Sequence, residues 1–456
     1  MTFLCRGIVR SKVVGYGFAS AGGSAAHGGA EEDLMVSRNI VPAARDSSPA
    51  PRSRGEDADV SGATPRTVRA INDRVTLELL LQHRTLTRTQ LATLTGLSKP
   101  TATQLLQRLA ENGLIVPRGT TTGAPGPNAQ LYGLNERAAF VAAVDVDEHR
   151  LTAAVADLAG TVLGEVSVGA DFTGPEDPVP AVRQVLGDAS RRAGVKLRDL
   201  DSVVLGVPAA YDAGSDRLTF ADHIPGWADA GTLARLRATL RAELVVENDV
   251  KLAAVWERGH GTASDVHSFA LLWVGTGLGL AVDFGGTLYT GATGGAGEIG
   301  YMRLGLRPYG PGELPATFDD LVGLVAVAAL AREHGLPPVP AEAVAAARQD
   351  LTTGMPFLSE LARRLAGGLA PIVAVLDPPL VVLAGPTCVP GGEVLVQLVT
   401  EELRAISPFH TRLAVSEVHG SPVLQGGLDA GLARVRTRLF AEGGRADRMP
   451  PARDLS

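Results

Sequence analysis

Residues 86–115, LTRTQLATLTGLSKPTATQLLQRLAENGLI, leave this chain few folds to choose from over that stretch. Thr87 can cap a short helix that carries Leu91 and Leu94 inward, and Gly96 ends it. Ser98 caps the next helix, in which Ala102, Leu105, Leu106 and Leu109 follow the i, i+3, i+4, i+7 spacing of one buried face. Pro100 falls in its first turn, where a missing N–H loses no intrahelical bond. Upstream, Val68, Ile71, Val75 and Leu79 predict a first helix over Thr67–His83. Downstream, Leu114–Arg118 and Gln130–Leu134 read as short strands around a Thr-, Gly- and Pro-rich loop. The order helix, helix, glycine turn, capped helix, hairpin predicts a winged helix-turn-helix over residues 65–135.

Such a unit sets its third helix into the major groove of DNA. With the leucine face inward, the opposite face presents Thr103, Gln104, Gln107 and Arg108, with Ser98, Lys99 and Thr101 at the N-terminal end. Arg and Gln can make paired hydrogen bonds to base edges, whereas Ser, Thr and helix N–H groups hold phosphates. Arg118 is the basic contact expected of the wing. Charge runs the same way: residues 65–135 carry eight Lys or Arg against three Asp or Glu, inside a chain of net charge −7. The plainer alternative is a small three-helix module that binds protein, its basic residues forming a solvated face.

The chain is 456 residues long, enough for two or three folded units. Residues 1–64, rich in Gly, Ala, Ser, Pro and Arg without apolar period, read as a disordered extension, with Met35 an alternative start. From Asn135 onward, apolar strand-like runs (Phe140–Val144, Ser202–Val207, Leu244–Val246, Phe269–Val274, Leu380–Leu383) alternate with Ala- and Leu-rich helices (Pro180–Ala193, Thr232–Ala242, Phe318–Glu333, Met355–Leu376), an α/β pattern that ends near residue 440. Residues 441–456 read as a disordered tail. No apolar stretch reaches the length that spans a bilayer, and the opening residues lack a secretory core, so a cytoplasmic protein without membrane contact is expected. Two cysteines, Cys5 and Cys388, rule out a disulfide framework or a cysteine-rich zinc site.

The segment Glu247–Gly300 holds an ordered set of motifs: Glu247-Asn248-Asp249, then WVGTGLGLA, the Gly285-Gly286 turn and GGAGEIGY. On these motifs, over about Thr67–Phe440, the chain resembles the ROK family (repressors, open reading frames, kinases), in particular its transcriptional-repressor branch. The resemblance implies an α/β actin-like (ribonuclease H-like) domain over residues 136–440, in two lobes split near 248–265, with a sugar cleft between them. In family kinases an aspartate at the position of Asp249 takes the proton of the attacking sugar hydroxyl, and the residues matching Asn248 and Glu298 hydrogen-bond other hydroxyls. The turn Gly275–Gly279 would bring backbone N–H groups to phosphate. The same residues also read structurally, as a tight hairpin and as the cap of a helix beginning near Val250.

Three departures favour a regulator over an enzyme. Family kinases open this domain with D-x-G-G-T; here Asp145-Val146-Asp147-Glu148-His149 has neither glycine and adds two carboxylates, which oppose a phosphate by up to a few kcal/mol. Pro386 follows Gly385 where a second glycine is expected. Tyr301 stands in place of the histidine ending GEIGH, and Tyr301–Leu314 has no cysteine, so neither ATP nor zinc is expected as a cofactor. Tyr301 and His223, where the family often has Asn, would border the sugar pocket. The expected protein is a repressor that binds double-stranded DNA at an inverted-repeat operator, as a homodimer or dimer of dimers, and senses a sugar. An active sugar kinase with an appended DNA-binding domain, and a ligand-independent regulator whose body only dimerises, are the alternatives.

Overall fold

A computed structural model describes residues 65–121, 128–305 and 315–442. The expected N-terminal extension, the tip of the wing loop and most of the C-terminal tail lie outside the described residues.

The N-terminal unit has helices α1 (Pro65–His83), α2 (Arg88–Thr95) and α3 (Lys99–Glu111), with strands β1 (Thr85–Thr87), β2 (Ile115–Thr120) and β3 (Gln130–Leu134) paired in the order β1-β3-β2. Thr87 and Gln90 form a reciprocal capping box at α2, and Gly96 closes that helix at φ +71°. The buried face of α1 differs from the expected one. Leu77 and Leu80 face inward with Asp73 and Thr76, while Val68, Ile71 and Val75 are 44%, 53% and 37% exposed. The helical period was legible, but the face is chosen by what α1 packs on: Arg108 of α3 and a C-terminal helix. Leu94, expected inside, is half exposed, because α2 turns Leu91 and Ala92 to the core instead.

The remainder folds as two lobes of the same design. In the first, β4 (Phe140–Asp147), β5 (Arg150–Asp157), β6 (Val162–Gly169), β7 (Ser202–Val207) and β10 (Glu243–Asn248) pair in the order β10-β7-β4-β5-β6, with β8 (Ala210–Asp212) and β9 (Arg217–Thr219) as a separate hairpin. In the second, β11 (Ser268–Val274), β12 (Leu278–Phe284), β13 (Thr287–Leu288), β14 (Leu380–Ala384) and β15 (Arg412–Val415) pair as β13-β12-β11-β14-β15. Each sheet is three antiparallel strands followed by two parallel ones. Topology thus carries a duplication that no sequence repeat shows. The expected helix Phe318–Glu333 is two helices, Asp319–Val322 and Leu324–Glu333, parted at Gly323, whose added Cβ would strike Asp319.

Two helices lie between the sheets. Asp249–His260 packs Val250, Ala254 and Val255 on Phe269 and Leu271 of β11, and Pro422–Glu442 packs on β4 and β7. Alternation along β4 sends Ala142 and Val144 to the outer helix Val179–Arg192 and Val141 and Ala143 to the C-terminal helix. The two inner helices touch closely because Gly426 lacks a side chain; a Cβ there would lie 1.9 Å from the Leu252 carbonyl. Leu432, Val435, Leu439 and Phe440 at the far end of the C-terminal helix then join Leu77, Leu80, Leu105, Leu106 and Leu109 in one apolar cluster. The N-terminal unit therefore shares its core with the first lobe. Among the described residues no helix is long and apolar enough to cross a membrane.

Candidate functional site

Ser98 opens α3 by accepting the Thr101 N–H at 3.3 Å, which turns the N-terminal end of the helix outward. Ser98, Lys99, Thr101, Thr103, Gln104 and Gln107 are all exposed, on the face opposite Leu105 and Leu109. Gln107 donates to Glu111 at 2.9 Å, and Arg88, which sequence reasoning passed over, reaches Thr103 at 3.3 Å from the start of α2. The two arginines of the expected set are otherwise engaged. Arg108 is paired with Asp73, which is 3% exposed, and so holds α3 to α1. Breaking a buried pair leaves an uncompensated charge, so this one is structural. Arg118 pairs with exposed Glu136 and donates to the Leu134 carbonyl, a surface arrangement worth at most about 1 kcal/mol and easily exchanged for a phosphate.

Between the lobes lies a cavity of about 1140 Å³, and its walls bring together Asp145, His223, Asn248, Asp249, Glu298 and Tyr301. Asn248 ends β10 and caps the next helix, accepting the Lys251 N–H at 3.2 Å and donating to the Ala209 carbonyl at 3.3 Å. Asp249 accepts its own neighbour's N–H, that of Val250, at 2.8 Å. The capping role read from the sequence is therefore real, and it aims the Asp249 carboxyl into the cleft. Burial pushes that carboxyl up to about 7, with the charges of Asp145 and Glu298 adding to the shift. Asp145 is pushed up to about 6, by burial first, against the hydrogen bond from Ser421 Oγ at 3.2 Å. Glu298 is raised by burial, with Lys251 opposing. Tyr301 and His223 are exposed on the rim, and Tyr301 leans on Phe220 with ring centroids 5.4 Å apart. Trp227 instead lies buried in the first lobe against Phe172, away from the cleft.

The turn where family kinases place a phosphate loop is a tight β4–β5 hairpin. Asp147 pairs with Arg150 in register, and the His149 N–H is taken by the Asp147 carboxylate at 3.1 Å. Glu148 and Arg150 line the cleft beside Asp147. The glycine turn joins β11 to β12: Gly275 donates to the Gly277 carbonyl at 3.0 Å, and a Cβ at Gly279 would lie 2.7 Å from Val250. That glycine lets the first turn of the Asp249–His260 helix sit directly on β12. Pro386 covers Gly275 from the other side.

Sequence reasoning missed Phe220 and Ser421 in the wall of this cavity, and Lys251 buried beside it. Phe220 is a bulky residue at φ +56°, a conformation that costs about 1–3 kcal/mol and that no local motif announces. Ser421 precedes the helix Pro422–Glu442, for which the sequence offered no reading, and only the fold brings it to Asp145.

Residues 141–407 match the model of the ROK family, and residues 69–116 that of winged helix-turn-helix DNA-binding domains. An uncharacterized protein of Sinorhizobium fredii is 28% identical over 230 residues, 50% of this chain and 58% of its own length. A putative xylose repressor of a Caldicellulosiruptor species is 21% identical over 368 residues, 77% of this chain and 90% of its own. Among solved structures, a ROK family transcriptional regulator, a homologue of the E. coli MLC protein, shares 17% identity at a TM-score of 0.61, over 82% of this chain and 99% of its own. A ROK hexokinase from Thermus thermophilus shares 24% identity at a TM-score of 0.53, over 65% and 99%. At these identities the structural likenesses speak for the fold alone, and the chain spans little more than half the length of the first relative.

Proposed function

Because the chain belongs to the ROK family, we propose that it is a DNA-binding transcriptional repressor whose grip on its operator is set by a sugar held between the lobes. The observation that carries this reading is the β4–β5 turn. It spends the His149 N–H on Asp147 and lines the cleft with Asp145, Asp147 and Glu148 against its single cation Arg150, while Asp249 and Glu298 still face the same cavity. Hydroxyls can be held there, but a phosphate would meet negative charge, so the cleft binds and does not transfer phosphoryl groups. The xylose and N-acetylglucosamine repressors among its relatives suggest the ligand class.

Exposed Lys99, Thr103, Gln104 and Gln107 read the major groove, with Ser98, Thr101 and Arg118 on the backbone and Arg108 bracing α3 from behind. The protein works in the cytoplasm as a homodimer on an inverted repeat, with the lobes supplying the dimer contact. A sugar changes operator affinity only through a difference in its affinity for two lobe arrangements. The test uses full-length protein and an operator selected from random DNA. Titrating D-xylose, D-glucose and N-acetylglucosamine should weaken operator binding for at least one sugar, with no ATP consumed. Sugar-dependent ATP turnover would overturn the reading, as would an operator affinity that no sugar changes.

A further inference from the structure

The residue two places beyond Asp249 is a lysine with a side chain only 3% exposed. Its ammonium donates to the Gly294 carbonyl at 2.6 Å and stands 3.9 Å from Glu247 Oε1. Gly294 lies in the loop Gly291–Glu298, which follows β13 of the second lobe, whereas Lys251 follows β10 of the first. The loop has little freedom at two other points. A Cβ on Gly294 would lie 2.0 Å from the Tyr211 carbonyl of the first lobe, and one on Gly297 would lie 1.8 Å from the Leu280 carbonyl. Gly297 in turn accepts the Leu280 N–H at 2.9 Å. The loop is thus pressed on the first lobe at Tyr211, pinned to it by Lys251, and tied to its own sheet at Leu280. It ends at Glu298.

We propose that Lys251 is a positioning residue for the sugar: its ammonium fastens the Gly291–Glu298 loop across the cleft and so sets the Glu298 carboxylate beside Asp249. This deepens, and rests on, the sugar-sensing reading above. A methionine of similar length would fill the same space without a charge to desolvate, so a buried ammonium that serves only packing is a poor choice. The competing role is neutralisation of buried Glu247, which stands farther from the ammonium than Gly294 does. Near both Glu247 and Glu298, Lys251 also opposes the burial that disfavours a charged Glu298, which must be ionised to accept hydroxyls well.

The test compares full-length Lys251→Met, Lys251→Arg and the double variant Glu247→Gln/Lys251→Met by hydrogen exchange and by calorimetry with D-xylose, D-glucose and N-acetylglucosamine. Both methionine variants should exchange the amides of residues 291–298 about tenfold faster, with α1–α3 unchanged, and bind sugar about tenfold more weakly. Lys251→Arg, which keeps a cation and N–H donors, should restore most of the loop protection. Normal loop exchange in Lys251→Met overturns the proposal. Recovery in the double variant also overturns it, because Lys251 would then only neutralise Glu247. Should Lys251→Met fail to fold, the double variant, free of the orphaned Glu247 charge, decides by the same readings. If the parent binds none of the sugars, the sugar-sensing reading fails, while loop exchange still decides whether Lys251 fastens the loop.

Discussion

Asp249→Asn isolates the charge that the cleft holds at greatest cost. Burial and the neighbouring carboxylates raise Asp249 from 3.8 to about 7. A group raised on folding contributes stability that is full below its unfolded value and is lost as pH rises through its folded one, here from about pH 4 to about pH 7. Three units at about 1.4 kcal/mol each give a ceiling of ~4 kcal/mol. The carboxyl opens on a cleft that water enters, and screening there leaves about 2 kcal/mol. Asparagine keeps the shape and an oxygen for the Val250 N–H but carries no charge. Urea unfolding of parent and variant at several values from about pH 5 to about pH 8 is the assay. The stability gained by Asp249→Asn should grow by about 1–2 kcal/mol across that window, with most of the rise below about pH 7 and a plateau above it. A gain that is flat with pH, or one that shrinks as pH rises, would refute the claim that crowded negative charge strains this cleft. Asp145, at about 6, titrates in the same window, so Asp145→Asn should give a smaller effect of the same sign.

Replacing Gln104 with Ala should relax base preference at one operator position by about 1–3 kcal/mol in a competition assay, whereas Arg118→Ala should weaken all sequences alike and flatten the salt dependence. Arg108→Ala orphans Asp73 and, with the arginine itself partly exposed, should cost about 1–3 kcal/mol of stability in thermal unfolding, where a purely DNA-reading arginine would leave the melting temperature unchanged. Full-length protein should sediment as a dimer at micromolar concentration, and a monomer there would remove the basis for an inverted-repeat operator.

Local chemistry was what the sequence made legible. Thr87, Gly96 and Ser98 act as the cap, stop and cap that their types announce, because each satisfies backbone groups within three residues of itself. The inward leucines of α3 were legible for a similar reason, since a helix of unmixed faces has one way to bury them. Faces that depend on distant partners were not. On α1 the spacing of Val68, Ile71 and Val75 is as helical as that of Leu77 and Leu80, and only Arg108 and the C-terminal helix decide between them. The cleft divides along the same line. Asn248, Asp249 and Glu298 were found through motifs close together in the chain, whereas Ser421 reaches Asp145 from 276 residues away.

That long-range contact bears on how a cleft event could reach DNA. The helix Pro422–Glu442 begins at the cavity wall, where Ser421 meets Asp145, and ends in the core of the winged helix. Its 21 residues span about 30 Å at 1.5 Å per residue. Arg436 ties it to the Leu158 carbonyl, Arg434 pairs with Glu243, and Gly427 and Gly431 seat it against Ala143 and Val141. The chain leaving the winged helix is held too, by the Leu158 N–H on the Glu136 carbonyl. A shared core and these ties pack the winged helix and the first lobe together. A flexible linker would decouple the DNA-binding unit from the cleft, and this joint does the reverse. Rotation of the first lobe against the second therefore carries α3 with it through the full lever of the helix. A few degrees at the cleft become a shift of an ångström or more at about 30 Å. In the homodimer proposed above, that shift would fall on the spacing of the two α3 helices.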